Sequence, residues 1–110
     1  MIARTWRGWA SPSTADEYQR HYESEVSSHL RDVPGFRGAR LLRRTDGDDV
    51  LFTSIVFFDD MDAVRAFAGP DPTRAVVEDA ARRVLTRWDE RVDHHRADVI
   101  LVPPTGGAAG

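Results

Sequence analysis

Hydrophobic and polar side chains alternate along several segments of the chain in the way that strands require. Residues 2 to 9 mix aromatic and β-branched side chains with charged ones, which is typical of a strand with two different faces. Residues 36 to 44 have strand character, and residues 50 to 58 form an apolar, β-branched and aromatic run. The Asp46-Gly47 pair between them predicts a tight turn, so these two strands are expected to form a hairpin.

A helical period begins after the first predicted strand. Ser13 has the form of an N-cap with an acidic partner at Asp16, and the helix is expected to run to about Arg31. The apolar residues of this segment fall on one side at ~100° per residue. They are Ala15, Tyr18, Tyr22, Val26 and Leu30.

Two more helices and a last strand complete the predicted order. A second helix, capped by Asp59 or Asp60, is expected to end at Gly69-Pro70. A third helix is expected to start at residues 71–72, where a capping carboxylate precedes a proline. Its shared apolar face comprises Val77, Ala80, Ala81, Val84 and Trp88. The last strand is expected from about residue 91 to residue 102.

This order of elements is the split βαβ arrangement, which predicts an α+β fold of ferredoxin-like βαββαβ topology with helices on one face of an antiparallel sheet. Residues 1–102 are expected to form the domain, and the Pro-, Gly- and Ala-rich residues 103–110 a disordered tail. The third strand is apolar on both sides, because Leu51 and Ile55 alternate with Phe52 and Val56. The helix-free face therefore needs a cover, and we expect a homodimer that closes into a barrel-like sandwich.

Length and composition limit the classes of function. A chain of 110 residues supports one domain, and no apolar run approaches the ~20 residues that a membrane span needs. The net charge of −3, with both signs interspersed, argues against a nucleic-acid partner. The chain contains neither cysteine nor lysine, which excludes disulfides, thiol nucleophiles and Schiff-base lysines. The N-terminal residues lack a secretory pattern, and a cytoplasmic location is expected.

The histidines are the candidate proton acceptors. His29 falls on the apolar stripe near the C-terminal end of its helix, where it can accept a proton or simply suit the helix dipole. His94 and His95 point to opposite faces of a regular strand, so they cannot bind one metal ion together. His21 falls on the polar side of the first helix and is expected to be solvated.

Aromatic side chains are the candidate pocket lining. Tyr18 and Tyr22 lie on the inner face of the first helix, where their hydroxyls can reach a ligand while their rings pack. The same spacing also suits a plain hydrophobic core, and both readings stay open. Trp6 and Trp9 lie on opposite faces of the first strand, and Trp6 is predicted to face the pocket.

Two arginines on the first strand are candidate anion-binding residues. Arg4 or Arg7 could hold an anionic oxygen of a ligand, and the sequence leaves open which face each occupies. The sequence contains no Ser-His-Asp order, phosphate-binding loop, paired cysteines or His-Glu-x-x-His pattern. Neither a hydrolase nor a metalloenzyme is therefore indicated, and no metal or cofactor is predicted.

The turns and the second helix carry a family resemblance. The segments PGFRGARLLRR (34–44), DGD (46–48) and DDMDAVRAFAG (59–69) look like those of the antibiotic biosynthesis monooxygenase family. Residues 1–4 and 91–94 are similar to its first and last strands. The likeness covers about residues 1 to 100 and reports turns and packing more than chemistry.

The resemblance implies a dimeric α+β barrel with a pocket between the sheet and the helices of each subunit. Relatives oxidise electron-rich aromatic polyketides with molecular oxygen and use neither a metal nor a flavin. A related branch binds and degrades haem with an Asn on the first strand, a Trp on the second helix and a following His. This chain contains no Asn, and Phe67 lies near the position of that Trp.

The resemblance and the residue pattern together give one expected function and two alternatives. The chain is expected to be a cofactor-independent monooxygenase acting on a polyketide- or quinone-type aromatic compound. His94, which matches the family's pattern, and His29 are the predicted catalytic residues. The predicted substrate-binding residues are Trp6, Tyr18, Tyr22, Phe67 and Trp88. The alternatives are a non-catalytic dimeric module that binds a small apolar ligand, and a haem-binding relative of the haem-degrading enzymes.

Overall fold

The elements follow the predicted order in the computed structural model, which describes residues 1–104. The strands are β1 (Ile2–Ala10), β2 (Phe36–Asp46), β3 (Asp49–Phe58), β4 (Leu85–Trp88) and β5 (Asp93–Arg96). The helices are α1 (Ala15–His21), a π-helical segment (Tyr22–Val26), α2 (Ser27–Arg31), α3 (Met61–Ala68) and α4 (Asp79–Val84). No helix in the described range is long and apolar enough to cross a membrane. The disordered tail predicted for residues 103–110 lies, from residue 105 onward, outside the described residues.

The sheet is antiparallel throughout and has the strand order β2-β3-β1-β4, with β5 also paired to β1. β4 pairs with the end of β1 around Gly8–Ala10, and β5 pairs with its beginning at Ile2–Thr5. The two short strands thus share one position beside β1. The α+β fold class and ferredoxin-like topology predicted from the sequence are therefore confirmed.

Of three local signals in the sequence, one turn and one helix cap are found in the structure, and a second helix cap is not. The Asp46-Gly47 turn joins β2 to β3 as predicted, and Gly47 has a φ of 61°, which glycine adopts without strain. Asp60 caps α3 by accepting a hydrogen bond from the Ala63 backbone N–H at 2.9 Å. Ser13 does not cap the first helix, because α1 begins after Thr14 with no side-chain cap.

The predicted third helix over residues 71–88 is wrong for most of its length. Only Asp79–Val84 is helical, and Leu85–Trp88 is strand β4. The Asp71 carboxylate accepts hydrogen bonds from the N–H and hydroxyl of Thr73, which closes a local turn in place of a helix cap. Residues 70–78, which we call the strap, connect α3 to α4 without a helix or strand, although Arg74 forms an isolated antiparallel bridge with Arg91. The end of the predicted last strand is also wrong, because residues 97–102 follow β5 without regular structure.

The core lies between the helices and one face of the sheet. Phe52, Val56 and Phe58 of β3 are buried there against residues of α1, the π-helical segment, α2 and α3. The alternate residues of β3 face the helix-free side, as the period of a strand requires. Arg4 and Trp6 of β1 face the helices, and Arg7 and Trp9 face the opposite side.

Candidate functional site

A cavity lies between the helices and the sheet, and side chains from seven helices and strands and from the strap line it. Its volume is about 60 Å³ and its lining is mostly apolar. Residues of β1, β3, all four α-helices, the π-helical segment and the strap contribute to the wall. They include Trp6, Tyr18, His21, Tyr22, Phe67 and Val77.

Four of the five predicted substrate-binding residues line this one cavity. Trp6 reaches it from β1, Tyr18 from α1, Tyr22 from the π-helical segment and Phe67 from α3. The fifth, Trp88, does not line the cavity. It faces the helix side of β4, where its ring lies under the Arg82 guanidinium at 5.6 Å. Whether the four aromatic residues bind a substrate stays a prediction.

The two cavity tyrosines are hydrogen-bond donors at neutral pH. Burial raises the pKa of Tyr18, and the nearby Tyr22 raises it further. Burial also raises the pKa of Tyr22, although the hydrogen bond to Ser54 acts in the opposite direction. The Tyr22 hydroxyl lies 2.8 Å from the Ser54 hydroxyl, so it is already partnered. The two tyrosines therefore do not act as proton acceptors for this cavity at neutral pH.

His94 lies away from the cavity wall. It lies opposite Arg4 in the β1–β5 pairing, and its Nε2 is 3.0 Å from an Arg4 guanidinium nitrogen. Because the guanidinium has only donors, Nε2 accepts this hydrogen bond. Burial lowers the pKa of His94, and the adjacent Arg4 lowers it further, so the imidazole stays neutral at pH 7. The structure does not bring this predicted catalytic residue to the cavity.

His29, the other predicted catalytic residue, lies outside the cavity. Its side chain is 58% exposed, and its Nδ1 is 3.2 Å from a carboxylate oxygen of Glu78. Glu78 itself lines the cavity at the end of the strap. The predicted position of His29 on the apolar stripe is wrong because the π turn intervenes. A π turn takes in about one residue more than an α turn, and it is Leu30 that is buried beyond it.

His21 lines the cavity, a position that was not predicted for it from the sequence. It was expected on the solvated side of the first helix, but it lines the cavity beside Tyr18, with ring centroids 6.3 Å apart. Its Nε2 is buried and has no hydrogen-bond partner among the described residues. A signal was present in the sequence, since His21 stands three residues after Tyr18 and so shares its helix face.

Arg4 holds the strap against the sheet from inside the fold. Its side chain is buried, with the residue 5% exposed, and it donates to the backbone carbonyls of Pro72 and Arg74. Burial lowers the pKa of Arg4 to about 10, which leaves the guanidinium charged at neutral pH. Arg4 thus faces the helices, and Arg7 faces away and pairs with Asp89 at 3.0 Å.

The charged side chains near the cavity do not form a metal site. Within residues 1–104, no group of three or more histidine, cysteine, aspartate or glutamate side chains is placed to bind a metal ion. His94 and His95 do lie on opposite faces of β5, because they pair with Arg4 and Ala3 respectively. What the arrangement offers chemically is an aromatic enclosure with protonated tyrosines and a buried imidazole nitrogen that has no hydrogen-bond partner within residues 1–104.

Comparison with known proteins gives a family and a set of similar folds. The model of the antibiotic biosynthesis monooxygenase family matches residues 1–79. No curated protein matches the sequence significantly. A variant of SnoaB, a cofactor-independent oxygenase from Streptomyces nogalater, is similar with a TM-score of 0.64 and 23% identity, covering 91% of this chain and 95% of that chain.

Two further solved structures share the fold. The ActVA-Orf6 monooxygenase of Streptomyces coelicolor, in complex with nanaomycin D, has a TM-score of 0.66 at 21% identity, covering 93% of this chain and 91% of that chain. The haem-degrader MhuD from Mycobacterium tuberculosis has a TM-score of 0.60 at 19% identity, covering 93% of this chain and 100% of that chain. At such identities these similarities establish the fold, and the chemistry has to be argued from the cavity.

Proposed function

The chain belongs to the antibiotic biosynthesis monooxygenase family, and on that premise we propose that it is a cofactor-independent monooxygenase. Its substrate is an electron-rich aromatic compound of the polyketide or quinone type, oxidised with molecular oxygen. The observation that carries the proposal is the meeting of Trp6, Tyr18, Tyr22 and Phe67 around one cavity between sheet and helices. An enclosure of flat, apolar rings suits a flat, apolar aromatic ligand.

The proposed reaction balances without any reductant. A methylene group between two aromatic rings becomes a ketone, one oxygen atom of O₂ is retained in the product, and the other leaves as water with the two methylene hydrogens. All four electrons that reduce O₂ come from the substrate. What the protein has to supply is the removal of a proton, stabilisation of the resulting anion and exclusion of water.

The residues around the cavity match these tasks in part. The apolar lining keeps the site dry, which strengthens every polar contact within it. The protonated hydroxyls of Tyr18 and Tyr22 are able to donate to an anionic oxygen. The buried Arg4 cation lies behind Phe67, 5.8 Å from its ring centroid, where it adds positive potential without touching the cavity.

The cavity has to open before a multi-ring compound can enter. Its volume of about 60 Å³ is smaller than the roughly 150 Å³ of an apolar cavity that accepts benzene. Val76, Val77 and Glu78 of the strap form part of its wall. We propose that displacement of this end of the strap, with separation of the His29–Glu78 pair, admits the substrate.

The small cavity also favours a second candidate function. A non-catalytic dimeric module that binds one small apolar ligand needs no larger space and no proton acceptor. The haem-binding alternative fits less well, because a macrocycle is far larger than this cavity and His21 is the one histidine in its wall.

We further propose that the protein is a cytoplasmic homodimer built on the helix-free face of the sheet. In the single chain Leu42 on this face is 52% exposed, and Ile55 and Phe57 are partly exposed. Ile55 lies beside Arg40 of the neighbouring strand, so apolar and charged side chains are mixed on this face. A second copy covers such a surface by two-fold symmetry.

Oxygen uptake separates the two candidate functions. Purified, metal-free protein is mixed with an anthrone- or hydroquinone-type compound, and uptake is compared with the protein-free rate. The monooxygenase proposal predicts faster uptake that falls about tenfold or more in Phe67→Ala. Arg65→Ala, an exposed position on the same helix, is the matched control and is expected to behave as wild type. Uptake equal to the protein-free rate would favour the binding module.

A further inference from the structure

Most polar groups around the cavity have partners within the protein. The Tyr22 hydroxyl lies 2.8 Å from the Ser54 hydroxyl, and the Trp6 indole N–H donates to the Asp89 carbonyl at 2.7 Å. The Glu78 carboxylate pairs with His29 at 3.2 Å. A ligand that enters the cavity therefore finds few groups in its wall that are free to recognise a polar substituent.

His21 is an exception, because its buried Nε2 has no such partner among the described residues. It lines the cavity, and its Nε2 is shielded from solvent without a hydrogen-bond partner within residues 1–104. Buried polar atoms in folded proteins are nearly always hydrogen-bonded, so each one that is not calls for an explanation. Hydrophobic packing alone does not explain the unpaired nitrogen. A phenylalanine or leucine at this position of α1 would pack without leaving a buried polar atom unsatisfied.

The backbone at His21 adds a second, independent observation. His21 is the last residue of α1, and the π-helical segment begins at Tyr22. Single π turns inside helices are rare and are frequent at functional sites. The π turn keeps both Tyr22 and Leu30 on the buried side, and His21 stays next to the Tyr18 ring at the cavity wall.

We infer that His21 Nε2 forms the hydrogen bond that holds a ring hydroxyl of the aromatic ligand, and that it thereby selects hydroxylated aromatic compounds over their ethers. The inference rests on the proposed function for the class of ligand. A neutral imidazole accepts a hydrogen bond at the nitrogen without a proton, which a hydroxyl donates and a methyl ether does not. In the closed structure this nitrogen is unsatisfied, and the ligand hydroxyl satisfies it once the strap has opened.

Binding of two matched probes tests this without any turnover. The probes are 1-naphthol and 1-methoxynaphthalene, which share a two-ring skeleton and differ in the hydroxyl hydrogen. Isothermal titration under nitrogen measures Kd for each with the full chain. Wild type is expected to prefer the naphthol by about tenfold, the ratio that one retained hydrogen bond gives. His21→Phe is expected to bind the two probes about equally.

A second histidine gives a matched control. His95→Phe makes the same chemical change at an exposed position of β5 outside the cavity, so its preference for the naphthol is expected to equal that of wild type. His21→Gln retains a side-chain acceptor and is expected to keep part of the preference. It also serves as the test variant if His21→Phe does not fold, which circular dichroism reports.

Two results would overturn the inference. The first is an undiminished preference for the naphthol in both His21 variants, and the second is equal binding of the two probes, or no binding of either, by wild type. These outcomes are distinct from failure of the proposed function, which oxygen uptake measures. A His21-dependent preference without oxygen uptake supports the hydroxyl site and removes the monooxygenase activity. Oxygen uptake with no His21-dependent preference supports the monooxygenase activity and removes the hydroxyl site.

Discussion

The guanidinium carbon of Arg4 lies 5.8 Å from the centroid of the Phe67 ring, so a buried cation stands directly behind an aromatic wall of the cavity. The same guanidinium donates to the carbonyls of Pro72 and Arg74 and contacts His94 Nε2. One side chain of β1 therefore joins α3, the strap and β5. The position of the cavity wall depends on this side chain, although Arg4 does not line the cavity.

Replacing Arg4 with Met is expected to lower the free energy of unfolding by about 2–4 kcal/mol, because two charge-assisted hydrogen bonds are lost and two strap carbonyls are left without donors. The measurement is urea denaturation followed by far-UV circular dichroism. Amide hydrogen exchange within residues 71–75 should also become faster, since the strap loses its attachment to β1.

Arg7→Met is the matched control for that experiment. Arg7 is on the same strand, but its side chain is 55% exposed and its pair with Asp89 is at the surface. An exposed ion pair contributes little to stability, so the control should unfold close to wild type. Equal losses in the two variants would contradict the role assigned to Arg4.

The Tyr22 and Ser54 hydroxyls form a buried pair at 2.8 Å, and their substitutions should not be additive. Tyr22→Phe leaves the Ser54 hydroxyl without its partner, at an expected cost of about 1–2 kcal/mol. The double variant with Ser54→Ala should lose less than the sum of the single losses, because no hydroxyl is then left unsatisfied. A double-mutant cycle in urea measures this, and strict additivity would show that the two hydroxyls do not interact.

Alkaline pH should destabilise the protein through its tyrosines. Tyr18 and Tyr22 are the two tyrosines of the chain, and burial raises the pKa of both above the ordinary value of 10.0. A group whose pKa is raised on folding contributes stability that is fully present below the unfolded pKa. That stability is lost as the pH rises from this value through the folded pKa.

Ultraviolet absorbance near 295 nm follows this ionisation directly. Tyrosinate should not form at pH 10 in the folded protein, and it should then appear together with the loss of helical circular dichroism. Urea midpoints measured at rising pH should fall only above pH 10. A smooth titration at pH 10 with intact secondary structure would mean that the hydroxyls are open to solvent.

The homodimer is tested by placing a charge on the helix-free face. Wild type is expected to sediment at twice the 12.4 kDa chain mass at micromolar concentration. Ile55→Asp places a carboxylate on the proposed interface and should give the monomer. Ala66→Asp adds the same charge at an exposed position of α3 and should leave the dimer intact. A wild-type monomer would remove the proposed assembly.

Most of the fold could be predicted from the sequence because the signals for its turns and helix caps are local. The Asp46-Gly47 turn and the Asp60 cap are satisfied by groups within a few residues, and both are found in the structure. The segment after Asp71 misled the prediction because its apparent helix cap closes an Asx turn with Thr73. The outcome there depends on long-range bonds from Arg4, which no local pattern contains.

The aromatic residues of the site were predicted from the sequence, and most of its polar residues were not. Strand parity places Trp6, and the helical stripe places Tyr18 and Tyr22, so their meeting follows from periodicity. The position of His29 depends on a π turn that has no clear sequence signature, whereas that of His21 follows from its spacing of three residues after Tyr18. The partner of His94 is Arg4, on a strand far away in the sequence, and only the sheet pairing brings them together.

We propose that this cavity oxidises an aromatic substrate with molecular oxygen and no cofactor. The most direct measurement is mass spectrometry of the product formed from anthrone by metal-free protein under ¹⁸O₂. Cofactor-free oxygenation at this cavity should give a ketone that carries a single ¹⁸O atom and forms faster with wild type than with Phe67→Ala or without protein. Product that forms at the protein-free rate, or that carries oxygen from water, would contradict it.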